Sequence, residues 1–207
     1  MPDGPLGRIG EVAPTGRPSG PVGPAEWVRF ALPDRPQPGH HDRMKTARAR
    51  LVDDGMRLRI RSGSGHAVTV DDADGDTGAR PAELLLMALA GCTAMDVISI
   101  LRKKRQSVER YEISVAGEQR IGHPAVFERI EVEHTVDGLV EPEALRRAIE
   151  LSATRYCAVG LTLSSGVTQI RHRYRLLADG ALLEAEVCTT GPYRPLEPVE
   201  LPTALAV

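Results

Sequence analysis

Residues 80–105 read RPAELLLMALAGCTAMDVISILRKKR, and this is the most hydrophobic stretch of the chain. From Leu84 to Leu101 nearly every helical position is apolar, and a helix of that kind must be covered on all sides. A chain of 207 residues with 42% hydrophobic content has apolar material for one ordinary core and little to spare. The helix therefore predicts a second copy of the chain against one of its faces, a homodimer with the helix near the interface. A central helix wrapped by its own chain's sheet is the simpler alternative. The stretch also approaches the length of a membrane span, but Glu83 and Asp96 would carry acids into it, so no membrane is expected.

Outward from the helix, the period changes to two. Met56, Leu58 and Ile60 alternate with Arg57, Arg59 and Arg61, and the same alternation recurs in Tyr111, Ile113 and Val115, in Ile130, Val132, His134 and Val136, and in Ile170, His172, Tyr174 and Leu176. These predict half-buried antiparallel strands with one wet face. A second helix is expected in EPEALRRAIELSATRYCAV, where Pro142 suits the first turn and Glu141 and Glu143 suit the positive end of the helix dipole. Its stripe is Leu145, Ala148, Ile149 and Ser152. Strands, helix, strands, helix, strand is an α+β order.

Nine of the sixteen prolines fall in residues 1–43, with no helical or strand periodicity, so this segment reads as a flexible extension. Prolines return in number after residue 176, which sets the expected folded body at 44–176 and a tail at 177–207. The net charge of −2 gives no electrostatic reason to expect nucleic acid or an acidic membrane surface as a partner. Cys92, Cys157 and Cys188 are odd in number and far apart, unlike a secreted disulfide framework, and point to a reducing, cytoplasmic setting.

Cys92 follows Gly91 in mid-helix, with Asp96 one turn later on the same face. A buried cysteine usually acts as a small hydrophobe. Cys157, at the break after the second helix, changes that balance, because two cysteines on separate elements can serve as peroxidatic and resolving partners. A reactive thiolate beside Asp96 needs an arginine or another donor to oppose it, and spacing does not choose among Arg48, Arg50, Arg57, Arg59 and Arg155. Glu83 either holds such an arginine or favours the helix N-terminus. Cys92, Cys157, His134 and His172 are zinc-ligand types, yet no CxxC or HxxxH pair brings two of them together locally, so no metal is expected. The two histidines are expected on a polar or partly buried strand face. No phosphate-cradling glycine loop and no GxSxG elbow is present.

PAELLLMALAGCTAMDVISILRKKRQ together with ELSATRYCAVGLTLSSGV, flanked by SGHAVTVD and RIEVEHTVDG, resembles the OsmC/Ohr family of thiol peroxidases, and within it the OsmC-like, YhfA-type branch. The resemblance covers about residues 44–176. It implies an intertwined α+β homodimer with antiparallel sheet packed on a long central helix and the active site at the interface. It further implies reduction of organic hydroperoxides in the oxidative stress response, with Cys92 as peroxidatic and Cys157 as resolving cysteine, a thiol or dithiol reductant, and no cofactor. The family's catalytic glutamate directly follows the proline before the helix; here Ala82 stands there and Glu83 comes one place later, rotated by about 100° on a helix. Arg50 is the nearest counterpart of the family's arginine by distance from Cys92 in sequence.

Overall fold

A computed structural model describes residues 45–192; the expected extension 1–43 lies outside them. The described elements run β1 (Ala47–Leu51), β2 (Leu58–Ser62), β3 (Ala67–Val70), α1 (Pro81–Lys103), β4 (Ser107–Gln119), β5 (Phe127–Leu139), α2 (Pro142–Leu151), α3 (Ala158–Ser164), β6 (Gln169–Ala178) and β7 (Ala181–Thr190). They form a three-stranded sheet in the order β1-β2-β3 and a four-stranded sheet in the order β4-β5-β6-β7. The α+β class is as the sequence predicts.

Helix α1 begins where its residues say it should. Pro81 occupies the first turn, and the Glu83 carboxylate accepts the Arg80 backbone N–H at 2.8 Å, satisfying a donor that the helix leaves orphaned. Its last turn carries Arg102 and Lys103, which suit the negative end of the dipole. Leu89, Thr93, Val97 and Leu101, spaced one turn apart, are buried against the four-stranded sheet and α2 and α3. Elsewhere the helix is bare: Leu85, Met87 and Met95 are 45%, 55% and 76% exposed. One chain thus covers one side of a helix that is apolar all round.

The antiparallel expectation holds for β4 with β5 and for β6 with β7, but β5 and β6 run parallel, so the sheet is mixed. Parallel neighbours need a crossover, and α2 with α3 provides it between Leu139 and Gln169. The boundary at residue 176 also needs correction. It falls inside β6, and residues 181–190, expected as tail, form β7 and pair with β6 from Ile170↔Thr190 to Ala178↔Ala181. β7 carries no period-2 signal because its side chains are exposed from Ala181 to Glu186, so no clear apolar face is written into it.

On β5 and β6 the predicted inward residues are buried: Ile130, Val132, Val136, Ile170, Tyr174 and Leu176. The outward residues pair across the parallel register, Arg171 with Glu131 at 3.3 Å and Arg173 with Glu133 at 2.9 Å. Such exposed pairs contribute about 0–1 kcal/mol each and serve mainly to hold register. At the bulge between Val108 and Arg110, Gly138 has φ of +128°, and a Cβ there would fall on the Ser107 carbonyl, so glycine is required.

His134 and His172 depart from expectation. They are 0% and 1% exposed, deep in the core rather than on a polar face. They sit between two apolar clusters, one built on Val97, Val136, Leu145 and Leu176, the other on Leu89, Val132, Cys157 and Ile170. With Tyr111 they form a polar layer between the two clusters. The Tyr111 hydroxyl lies 2.7 Å from His134 Nδ1, and the two imidazoles stack with centroids 6.1 Å apart.

Candidate functional site

Cys92 faces the crossover from α1, and Cys157 is delivered to it by an unusual piece of backbone. After α2, residues Ser152–Tyr156 form a single π-helical turn, closed by the Cys157 N–H donating to the Ser152 carbonyl at 2.9 Å. π-helical turns of this kind occur frequently at functional sites. Cys157 then leaves the helix with extended backbone and caps α3, its Sγ accepting the Gly160 N–H at 3.3 Å. The Thr93 hydroxyl lies 3.4 Å from the same sulfur.

The outcome is a cluster that sequence spacing does not reveal. Cys92 Sγ, Cys157 Sγ and a carboxylate oxygen of Asp96 lie within 4.8 Å of one another. The Ser152 hydroxyl donates to Asp96 Oδ2 at 3.1 Å and fixes the carboxylate. Cys92 and Asp96 are half-buried, whereas Cys157 is 1% exposed. Burial pushes the Cys157 thiol above its usual pKa, as does Cys92 beside it, while Thr93 and the Gly160 amide pull it down. Cys157 is thus the protected member of the pair and Cys92 the approachable one.

The other expected site residues lie elsewhere. Glu83 is exposed and engaged at the start of α1, the second of the two roles open to it. Arg50 is exposed on β1 in the three-stranded sheet. Arg57 pairs with Asp53, and Arg59 donates to the Thr69 hydroxyl. Among the described residues neither Glu83 nor Arg50 is hydrogen-bonded to either thiol. His134 and His172 belong to the core layer and are not members of the thiol cluster. Cys188, which the expected boundaries put in the tail, lies on β7 opposite His172, with its thiol pushed up to about 11 by burial and by Glu150 and Glu186.

Two contributors were missed from sequence, Thr93 and Ser152. A signal existed for each: Thr93 interrupts the core stripe Leu89, Val97, Leu101 at one-turn spacing, and Ser152 ends the stripe of α2. A hydroxyl on a core stripe demands a buried partner.

Residues 73–171 match the family described as OsmC-like protein. The chain is 39% identical over 133 residues to Protein YhfA of Escherichia coli K12, spanning 98% of that protein and 64% of this chain. The chain belongs to the OsmC family. A hypothetical protein from Aquifex aeolicus superposes with a TM-score of 0.58 at 29% identity, covering 64% of this chain and 96% of that one. An OsmC-like protein from Mycoplasma pneumoniae gives the same TM-score of 0.58 at 19% identity, over 65% and 98% of the two chains, which shows that the OsmC fold is shared. The helix α1 that is long and apolar enough to cross a bilayer is here the helix of the OsmC fold, packed along one side on β4, α2 and α3.

Proposed function

We propose that this OsmC-family protein is a cytoplasmic, thiol-dependent peroxidase that reduces organic hydroperoxides through Cys92 and Cys157. The observation that carries the reading is the approach of an accessible thiol on α1 to a buried one at the head of α3, within 4.8 Å. The Cys92 thiolate attacks the terminal oxygen of the hydroperoxide; the O–O bond breaks, the alcohol leaves with a proton, and Cys92 becomes a sulfenic acid. Cys157 then attacks that sulfur, water leaves, and a Cys92–Cys157 disulfide forms. A cellular thiol or dithiol restores both thiols. The Gly160 amide, already aimed at Cys157 Sγ, steadies the attacking thiolate.

The test is consumption of cumene hydroperoxide by the full chain with dihydrolipoamide as reductant. Wild type is expected to turn over and Cys92→Ser to fall to the background rate; equal rates in the two would sink the proposal. A second reading is a non-catalytic dimer that binds a small apolar ligand or senses redox state. It is favoured by the engagement of Glu83 at the start of α1 and by the Cys157 thiol's hydrogen-bond partners being Thr93 and Gly160, and it predicts slow alkylation of Cys92 near neutral pH, against the rapid labelling of a peroxidatic thiol.

The bare face of α1 supports a homodimer. Leu85, Met87 and Met95 there, and the three-stranded sheet whose close contacts lie chiefly within itself, present apolar surface that a second copy would cover. Met95→Glu places an acid in that contact and is expected to convert a sedimenting dimer to monomer. A wild-type chain that sediments as a monomer at micromolar concentration rules the dimer out.

A further inference from the structure

The thiol pair has a third neighbour that the peroxidase reading leaves without work. Asp96 brings a carboxylate oxygen within 4.8 Å of both sulfurs. Three groups able to carry negative charge thus converge at one point between α1 and the head of α3. We propose that reduced protein binds a thiophilic divalent cation, with zinc as the natural probe, through Cys92 Sγ, Cys157 Sγ and an Asp96 carboxylate oxygen, and that this binding masks the thiols from peroxide.

The donor set is the one such a cation selects: two soft sulfurs, one carboxylate oxygen, and a fourth position left to water. Tetrahedral zinc with its usual bond lengths holds sulfur and oxygen ligands about 3.4–3.8 Å apart, so the three atoms need close by only about 1 Å. Side-chain rotation of half-buried Cys92 and Asp96 supplies that movement, and their partial exposure is the path of entry. Outer contacts that orient metal ligands are in place: Ser152 donates to Asp96 Oδ2 at 3.1 Å, and the Gly160 N–H to Cys157 Sγ at 3.3 Å. The reaction balances as one cation entering and two thiol protons leaving, giving two thiolates and one carboxylate on the metal. The other two ligands sit 4 and 65 positions from Cys92, on α1 and at the head of α3, so no local motif announces them.

Binding is independent of catalysis; its regulatory consequence rests on the peroxidase reading. Reduced full-length protein in chelator-treated buffer is titrated with Zn²⁺ against a chromophoric chelator and, separately, with Co²⁺. The expected result is one equivalent per chain, about two protons released per metal, and a thiolate-to-cobalt charge-transfer band in the near ultraviolet. Cys92→Ser should abolish the band, Asp96→Asn should weaken zinc at least tenfold, and Cys188→Ser should change neither. No saturable binding, binding that survives Cys92→Ser, or equal affinity in Asp96→Asn overturns the site as drawn. Thermal unfolding of each variant without metal separates lost ligands from lost fold. Hydroperoxide turnover, measured metal-free and again with zinc, keeps the two proposals apart. Turnover suppressed by zinc and restored by chelator supports both; binding without turnover removes the peroxidase reading and leaves the metal site standing. Turnover without binding does the reverse.

Discussion

Acidification from pH 7 to pH 4.5 is expected to remove on the order of 5 kcal/mol of folding stability, a third or more of the roughly 5–15 kcal/mol that native domains possess. The cause is the layer of buried imidazoles. Burial, and then the neighbouring His172, lowers the His134 pKa to about 3, and burial lowers that of His172 to about 4. An unfolded histidine titrates near 6.5, so between that value and about 4 the unfolded chain binds two protons that the folded chain refuses. The stability is fully present above about pH 6.5 and is lost as pH falls toward the folded values. Two histidines, each about two units above pH 4.5 in the unfolded state at about 1.4 kcal/mol per unit, give the figure. Groups near the pair do not offset it: Tyr111, which hydrogen-bonds to His134, is itself raised by burial, and Cys188 opposite His172 stays neutral.

Urea unfolding at a series of pH values is the measurement. Between pH 6 and 4.5 the slope should approach two protons, about 2.7 kcal/mol per pH unit, and should halve in His172→Leu, whose imidazole leaves Nδ1 buried without a partner. A flat profile across that window would show that the histidines are solvated, and the buried layer would be wrong.

One equivalent of cumene hydroperoxide should convert the reduced protein to a form with a Cys92–Cys157 bond and a free Cys188. The two sulfurs begin within 4.8 Å, so a rotation at Cys92 and a small adjustment of the π-helical turn before Cys157 bring them to bonding distance. Cys188, on β7, is not part of that cluster. In Cys157→Ser the sulfenic acid loses its partner and should pass to the sulfinic acid as peroxide is raised, an irreversible loss of all activity in place of a reversible cycle. Removing Cys157 deletes a fully buried side chain, so the variant's unfolding midpoint must be checked alongside. Peptide mass mapping of oxidised protein decides between outcomes: a bond to Cys188, or three free thiols after peroxide, would eliminate the two-cysteine cycle.

Much of the scaffold was legible from local pattern. Alternation in Ile130–Val136 and Ile170–Leu176 marks strands whose inward residues are buried, and Pro142 marks the first turn of α2. The break at Cys157 was legible too, and Asp96 one turn from Cys92 is a helical certainty. These features depend on three or four neighbouring residues, and the backbone's own periodicities carry them.

What the tertiary structure decided involves residues distant in the chain. The parallel pairing of β5 with β6 follows from where the crossover lays its helices, and β7 exists because β6 offers it an unpaired edge, not because its side chains alternate. His134 and His172 come together only because β5 and β6, which carry them, pair in parallel and place their imidazoles side by side in the core. The thiol cluster needs α1 to carry Cys92 and Asp96 past a π-helical turn that begins 56 positions after Asp96. Side chains that far apart acquire a common environment only when packing and hydrogen bonding close the intervening chain, and no local period encodes that closure.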